Sequence, residues 1–328
     1  MSGNKRIHIL LLLLGFACLV WMLRVMGAGK VWRQLMTVGW GLVPLVLIEG
    51  LGAVLHTAGW RRCLSDPARS WSYARLFWVR MAGYAVNYFT PTAAMGGEVT
   101  RASMIASEGR GAEATSAVLI DKATIAFAHL LLVVSGAFLL AWRIPLPETL
   151  QIAMVLSGSL LAVGIVLFML IQKHGLLGAV FRWMRSHHLG GAGIRKLAEN
   201  TSAVDEAFRM FYRDRRRDLV FSVGWHLTGF LIGFFQIWLF FVLVHQPISL
   251  IEISSIWLIG LWLDLLVFVV PMSMGTLEGS RIVTFRAIGF QAVEGMTYGM
   301  VLRLGQLSCA ILGLLGYAFL TFRQGGRS

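Results

Sequence analysis

Two short polar stretches of an otherwise apolar chain share one pattern of residues that could bind an anion. Each has a proline, six further residues, a glutamate, two further residues and an arginine, and the copies are 180 residues apart. The three matching positions are Pro91, Glu98 and Arg101 in the first copy and Pro271, Glu278 and Arg281 in the second. A guanidinium binds carboxylates and phosphates through forked hydrogen bonds. The matching spacing indicates an internal repeat that places this chemistry twice in one chain.

The charges of the repeated motif allow two interpretations. A glutamate and an arginine three residues apart lie on one face of a helix, so each motif could neutralise itself as a local ion pair. Alternatively, the arginines hold a phosphate or another anionic headgroup, and the glutamates orient them or exchange a proton. Glycines at the predicted helix starts leave backbone N–H groups free and also favour an anion. These glycines are Gly96, Gly97 and Gly275.

Further charged residues inside apolar stretches are candidate partners of the motif. A charge at the centre of a bilayer helix costs about 2.5–3.5 kcal/mol, so such residues usually face a partner or a watery cavity. Asp121 could meet Arg101, while the neighbouring Lys122 is long enough to reach the membrane surface. Asp264 precedes the second motif and Arg303 lies in the last apolar stretch. We expect these last two to form a pair.

Several single polar residues on apolar stretches have a structural and a functional interpretation. Asn87 precedes the first motif, where it could cap a helix or contact a ligand. Glu49, His56, His129 and His226 are each surrounded by apolar residues in the sequence. For the histidines, a packed ring that bonds to one neighbour is favoured over a proton relay.

Composition places the chain among polytopic helical membrane proteins. It has 328 residues, of which 57% are hydrophobic and 14% charged, and its mean hydropathy is +0.72. An ordinary soluble domain has about 25% charged residues. The formal net charge of +13 fits basic cytoplasmic loops better than nucleic-acid binding, because no nucleic-acid motif accompanies it. The three cysteines have no metal-site or disulfide spacing, and no cofactor motif is present.

The apolar stretches predict an all-α protein with about six transmembrane helices in one membrane domain, residues 1–328. The predicted spans are Ile7–Met26, Met36–Trp60, Ala114–Trp142, Leu150–Ile171, Leu219–Val244 and Met296–Phe322. Residues 27–35 are expected to form a short outer loop. The basic stretch 172–217 is expected to lie in the cytoplasm, with an amphipathic helix at 195–212. Both chain termini are then cytoplasmic.

The two motifs are expected to lie in re-entrant helical hairpins. In the first of these, residues 73–107, the stretch Tyr73–Phe89 is about 17 residues long and marginal for a full span, and proline and glycine break the helix after it. The corresponding segment near the other end runs from Glu252 to Gly289. Counting the crossings gives opposite orientations to the two repeat units, about 38–142 and 218–322. Inverted repeats with broken helices near the midplane are typical of transporters.

The motifs resemble those of a known family of membrane proteins. The stretches PTAAMGGEVTRASMI, SAVLIDKATIAFAHLLL and PMSMGTLEGSRIVTFRAIGF are similar to the membrane region of lysyl-phosphatidylglycerol synthases and of stand-alone flippase-like proteins. One branch of that family accompanies hopanoid biosynthesis. The resemblance covers nearly the whole chain. This sequence departs from the family at Met272, Ser273 and Met274, where the second motif usually has more glycines.

The resemblance implies a lipid transporter or flippase in the bacterial inner membrane. Its substrate would be an amphiphilic lipid, either anionic, aminoacylated or hopanoid. The soluble transferase domain of the synthases is not expected here, so the chain should not be an enzyme that makes the lipid. No P-loop is present, which favours movement without ATP. An intramembrane lipid-modifying enzyme and a non-transporting partner of a lipid-synthesis enzyme remain as alternatives, and the oligomeric state stays open.

Overall fold

The structure is a computed structural model that describes most of the chain. The described residues are 20–21, 24, 27–64, 71–89, 96–106, 111–143, 148–176, 178–180, 183, 201–267 and 271–325. Within these ranges all regular secondary structure is helical, which confirms the predicted all-α class.

Eleven α-helices, numbered here in chain order, lie within the described residues. They are α1 Ala28–Val38, α2 Leu42–Cys63, α3 Tyr73–Phe89, α4 Gly96–Ile105, α5 Gly111–Arg143, α6 Glu148–His174, α7 Thr201–Asp214, α8 Arg216–Leu243, α9 Leu250–Val267, α10 Thr276–Ala287 and α11 Ala292–Gly325. Two 3-10 turns join neighbouring helices: Gly39–Gly41 links α1 to α2, and Pro271–Ser273 lies between α9 and α10.

Among the described residues, five helical segments are long and apolar enough to cross a membrane. They are Ala28–Cys63, Gly111–Ala137, Val155–His174, Arg216–Leu243 and Ala292–Leu320. Each overlaps a predicted span. The predicted first span, 7–26, lies almost wholly outside the described residues.

The prediction of an outer loop at 27–35 is wrong, because this stretch begins helix α1. Gly27 adopts a φ of 82°, which starts the helix, and α1 then continues through a 3-10 turn into α2. Val31 and Val38 are buried on one face of α1, whereas Lys30 and Arg33 lie on its exposed face. The apolar contacts of that face stabilise a helix where the glycines and charges alone indicated a loop.

The first predicted hairpin consists of two short helices that run in opposite directions. The start of α4 contacts the end of α3, where Gly97 N donates to Asn87 Oδ1 at 2.6 Å. Farther along both helices, Arg101 of α4 packs against Gly83 of α3. Helix α4 has 10 residues and is about 15 Å long at the usual helical rise, which is half the thickness of a bilayer core. Pro91 lies outside the described residues.

Helices α2 and α8 form a long antiparallel pair that runs through the centre of the fold. Near one end Gln236 Nε2 donates to Leu45 O at 2.9 Å, and near the other end Cys63 Sγ lies 3.4 Å from Ser222 Oγ. Low residue numbers of α2 therefore meet high residue numbers of α8 along their length. Helix α5 packs on α8, and α11 packs on α2 and α3, so both long outer helices contact this pair.

Two apolar clusters hold the helices around this pair. One surrounds Trp60 and Phe208, where the ends of α2 and α3 meet α4, α5 and α7. The other surrounds the stacked rings of Phe241 and Phe285, where α8 and α9 meet α10 and α11. Each short helix that follows a break is thus packed into its own cluster.

Helix α7, Thr201–Asp214, confirms the amphipathic helix that the sequence predicted at 195–212, of which residues 195–200 lie outside the described residues. Phe208 is fully buried on its apolar face, which packs against α5 and α6. Tyr212 Oη donates to Gln172 Oε1 at 2.7 Å, and burial raises the pKa of this phenol above its usual value. The helix is therefore anchored to the bundle through its apolar face.

Candidate functional site

Among the described residues, the most deeply buried charge of the first half is Asp121 on α5, which is 1% exposed. Arg101 Nη2 of α4 donates to Asp121 Oδ2 at 2.6 Å, and Arg80 Nη1 of α3 donates to the same oxygen at 3.2 Å. The expected contact between Asp121 and Arg101 is confirmed. One carboxylate therefore ties together three helices and compensates two cations that would otherwise be costly at this depth.

Glycine allows Arg101 to occupy its buried position between α3 and α4. The guanidinium lies 4.0 Å from the centre of the Trp60 ring, a cation–π contact. A Cβ on Gly83 would lie 2.6 Å from Arg101 Cγ and 2.8 Å from Gly97 O. The two helices can thus approach closely only because neither has a side chain at the crossing.

Glu98 pairs with the long helix α5 and not with Arg101. Lys122 Nζ lies 2.8 Å from Glu98 Oε1, and Asn87 Nδ2 donates to Glu98 Oε2 at 3.2 Å. Because Asn87 also accepts from Gly97 N, it caps the start of α4, which is one of the two roles predicted for it. The interpretation as a local Glu98–Arg101 ion pair is wrong, since α5 supplies the partner of each charge.

The second motif repeats this arrangement with a different cation. Arg303 of α11 binds Glu278 through two nitrogens, Nε to Oε1 and Nη2 to Oε2, the latter at 2.9 Å. The expected pair between Asp264 and Arg303 is therefore wrong. Asp264 binds Arg281 instead, with Arg281 Nη2 2.6 Å from Asp264 Oδ2. The acid that precedes the break thus meets the arginine that follows it, because α9 and α10 lie against each other.

Arg303 also satisfies the broken backbone between α9 and α10. Its Nη1 donates to Met272 O at 3.2 Å, and its Nη2 donates to Ser273 O at 3.0 Å. Pro271 begins this 3-10 turn, and Gly275 with a φ of 75° ends it. Gly275 N donates to Glu278 Oε2 at 3.1 Å, which caps α10. Irregular backbone at membrane depth needs such internal partners, because lipid offers none.

A cavity of about 400 Å³ lies between the two halves of the chain. Residues of α2, α3, α5, α8, α9, α10 and α11 line it, so both halves contribute. Its polar and titratable lining includes Glu49, His56, Arg80, Gln236, Asp264 and Arg281. This volume falls in the usual range for small-molecule sites and suits a lipid headgroup, whereas acyl chains would exceed it.

The cavity contains part of the predicted site and one residue that sequence reasoning missed. Arg281 and Asp264 line it, but Arg101 and Asp121 lie outside its wall. Arg80 contributes the cation of the first half instead. The available signal was an arginine within the 17-residue apolar helix α3, ahead of the break. The spacing of residues in the sequence did not relate that arginine to the motif.

His56, His129 and His226 each contact a neighbour, as expected. His129 Nε2 lies 3.0 Å from Leu261 O. His56 Nδ1 lies 3.0 Å from His226 Nδ1, and His226 Nε2 lies 3.2 Å from Asp121 Oδ1. The last two histidines thus connect the cavity wall with the buried carboxylate.

Long apolar helices that bury charge pairs and enclose a central cavity define a polytopic helical membrane protein. Within that class, the chain belongs to the family of the lysylphosphatidylglycerol synthase TM region, whose model matches residues 8–313. The resemblance seen in the motifs is therefore confirmed over nearly the whole chain.

Two curated relatives cover almost the same length. A UPF0104 membrane protein of Methanothermobacter thermautotrophicus is 21% identical over 95% of this chain and 94% of its own. A second UPF0104 membrane protein, from Methanocaldococcus jannaschii, is 22% identical over 94% of this chain and 92% of its own. No solved protein structure matches this chain.

Proposed function

We propose that this protein moves a lipid with an anionic headgroup between the leaflets of the bacterial inner membrane. The observation that carries the proposal is the central cavity, which has one arginine from each half of the chain in its wall, Arg80 and Arg281. The family supports a role connected with lipids. The headgroup would pass through the cavity while the acyl chains stay in the bilayer.

Arg281 is suited to hold an anion. It is 8% exposed, and Nη2 donates to Asp264. Its Nε is buried without a hydrogen-bond partner in the described part of the chain. A guanidinium has five N–H donors in a fixed fork, so further donors are available for phosphate oxygens. Arg80 can contribute a second cation from the opposite wall, although it also contacts Asp121.

We further propose that the two halves are inverted repeats. Helices α4 and α10, which follow the two breaks, begin at positions that are 180 residues apart. Helices α2 and α8 end at positions with the same separation. The first helices of the two units, α2 and α8, run antiparallel against each other. Packing is reciprocal as well: α3 contacts α11 while α9 contacts α5. A two-fold exchange of the halves would produce these contacts, and it supports a cavity that opens first to one leaflet and then to the other.

The proposal is tested by lipid movement in proteoliposomes with a fluorescent phosphatidylglycerol and, for comparison, a fluorescent phosphatidylcholine. The key variant is Arg281→Gln combined with Asp264→Asn, which removes a cation from the cavity and leaves no unpaired acid. We expect at least a roughly tenfold slower movement of the anionic probe, since losing one charged hydrogen bond to phosphate costs about 1.5–3 kcal/mol. Arg209→Gln makes a similar change on the surface of α7 and should have no effect.

Unchanged movement of phosphatidylglycerol by the folded double variant would contradict this site. Mass spectrometry of the same liposomes separates the other functions that the sequence left open. Conversion of the probe to a new chemical species would indicate a lipid-modifying enzyme. Absence of movement, together with a stable complex containing a lipid-synthesis enzyme, would indicate a non-transporting partner.

A further inference from the structure

We propose that His56 and His226 form a proton-binding site that couples proton uptake to the binding of an anionic headgroup in the central cavity. The inference rests on the proposed function and deepens it, because it names the coupling ion. The two rings connect the cavity with the buried charge cluster around Asp121. Neither ring belongs to the repeated motif.

The geometry of the two rings forms a short path for a proton. His56 lines the cavity, and its Nδ1 lies 3.0 Å from Nδ1 of His226. His226 is fully buried, and its Nε2 lies 3.2 Å from Asp121 Oδ1. The path therefore begins at the cavity wall and ends at the buried His226 ring, whose Nε2 lies close to a carboxylate.

The helices are shaped to hold these rings between them. Each histidine is followed three residues later by a glycine, and each ring packs against the glycine of the other helix. A Cβ on Gly59 would lie 2.7 Å from His226 Cε1, and a Cβ on Gly229 would lie 2.8 Å from His56 Cε1. The two-fold pairing of α2 and α8 thus extends to a matched pair of histidines.

Hydrogen-bond chemistry fixes where protons can sit in the neutral state. Two nitrogens that face each other at 3.0 Å share one proton, because two N–H groups would repel and two lone pairs would form no bond. The carboxylate of Asp121, paired with two arginines, favours a proton on His226 Nε2. His226 Nδ1 then accepts from His56 Nδ1–H. This leaves His56 Nε2 without a proton and able to take one up.

One proton taken up from the cavity can be passed along this path with no other reactant. It adds to Nε2 of His56, and the proton on His56 Nδ1 moves to Nδ1 of His226. His56 is neutral again, and His226 is an imidazolium beside Asp121. The two Nδ1 atoms face each other at 3.0 Å and do not point at a common position where they could both bind a metal ion. Among the described residues no group of three side chains is suited to a metal ion.

The surrounding charges connect this proton with an anion. His56 on α2 and His226 on α8 face Arg80 of α3 and Asp121 of α5, and His129 of α5 lies near His56. Arg101 of α4 and Glu49 of α2 also belong to the titratable surroundings, and Tyr84 of α3 lines the same cavity.

Burial and the two arginines oppose a charge on His226, whereas Asp121 favours it. An anion beside Arg80 would offset the added positive charge, so proton and anion each strengthen the binding of the other.

The test uses the full chain, labelled with 15N-histidine, in nanodiscs of phosphatidylcholine. Histidine 15N spectra are recorded between pH 5 and 8 with and without short-chain phosphatidylglycerol as the anionic probe. We expect the signals of His56 and His226 to titrate together and the probe to increase the protonated fraction. Binding of the probe should be roughly tenfold tighter at the acidic end, a usual size for such coupling.

The matched variants are His56→Gln and His129→Gln, which remove one ring from the pair and one ring outside it. His56→Gln should abolish the pH dependence of probe binding, and His129→Gln should retain it. Retained pH dependence in folded His56→Gln would overturn the proposal. So would signals of His56 and His226 that do not respond to pH or probe, a result that needs only the unmodified chain.

Lipid movement, measured separately, distinguishes this inference from the proposed function. Coupled titration without movement of phosphatidylglycerol would support the proton site and overturn the transport proposal. Movement that is indifferent to a pH gradient, with silent histidine signals, would support transport and overturn the proton site.

Discussion

Two glycines decide how closely the halves of the first hairpin approach each other. Gly83 of α3 and Gly97 of α4 face each other at the crossing, and each lies where a Cβ would meet the partner's backbone. The buried arginine and the cap by Asn87 both depend on this distance. The glycines of the motif therefore have two roles. They allow close contact between the helices, and they leave backbone N–H groups at the helix start free to bind a partner.

We expect Gly97→Ala to destabilise the protein by about 1–3 kcal/mol, the usual cost of overpacking. Its Cβ would meet Gly83 O and would lie 2.6 Å from Asn87 Cγ. Gly224→Ala on α8 is the matched control, because a Cβ there meets nothing within 4 Å. That change should be neutral or stabilise by about 0.5–1 kcal/mol. Thermal unfolding of the purified variants in detergent measures both, and equal midpoints would contradict the argument.

The second break carries backbone strain that a glycine would relieve. Met272 and Ser273 adopt φ values of 56° and 46°, in the left-handed region that disfavours residues with a Cβ.

We expect Ser273→Gly to raise the free energy of unfolding by about 1 kcal/mol, because the relief of left-handed strain exceeds the added chain entropy. Ser254→Gly, in the helical part of α9, should instead lower it by up to about 1 kcal/mol. A fall in the unfolding midpoint of Ser273→Gly would show that its side chain contributes more than its backbone strain costs.

At the scale of elements, each short helix after a break is fastened to the long helix that follows it. Glu98 binds Lys122 of α5, and Glu278 binds Arg303 of α11. The two fastenings differ in burial: the side chain of Lys122 is 45% exposed and that of Arg303 12%. Only Arg303 also bonds the carbonyls of a break in the described part of the chain.

Arg303→Lys is expected to destabilise the protein by about 1–3 kcal/mol, although it keeps the charge. The planar guanidinium of arginine contacts the carboxylate of Glu278 and two backbone carbonyls at once. A lysine ammonium lacks this fork of donors and cannot reach all three groups, so buried acceptors lose their donor. The equivalent change in the first half, Lys122→Arg, should shift stability by less than about 0.5 kcal/mol, since the pair is partly exposed. Unfolding midpoints of the two variants provide the comparison, and a larger loss for Lys122→Arg would refute it.

The sequence predicted the elements better than their partners. A proline followed closely by several glycines interrupts a helix, so the positions of α4 and α10 followed from local composition. The partner of Arg101 depends on how α4 packs against α5. The sequence alone allowed this packing only as one of several options. The Asp264–Arg303 prediction failed for the same reason. The place of Arg80 in the cavity wall was missed because the residues of α3 do not indicate that the other half of the chain forms the opposite wall of a cavity.

At the scale of the whole molecule, the decisive question is whether the two halves lie upside down relative to each other. Ser72 and Ser249 stand immediately before the corresponding helices α3 and α9. Each serine caps its helix in the same way, since Ser72 Oγ accepts from Arg75 N at 3.3 Å and Ser249 Oγ accepts from Glu252 N at 3.2 Å. Both serines are exposed. They therefore offer matched positions for chemical labelling from the two sides of a membrane.

In a variant whose native cysteines are replaced by alanine, Ser72→Cys and Ser249→Cys are expected to react from opposite faces. Basic residues collect on the cytoplasmic side, and the only long basic stretch, 172–217, precedes α8 directly. Helix α8 then runs outward and places position 249 outside, whereas the antiparallel α2 places position 72 inside. A membrane-impermeant maleimide should label Ser249→Cys in intact cells and Ser72→Cys only after the membrane is opened. Labelling of both positions from one face would show that the two halves have the same orientation in the membrane. Alternating access through inverted repeats would then be impossible.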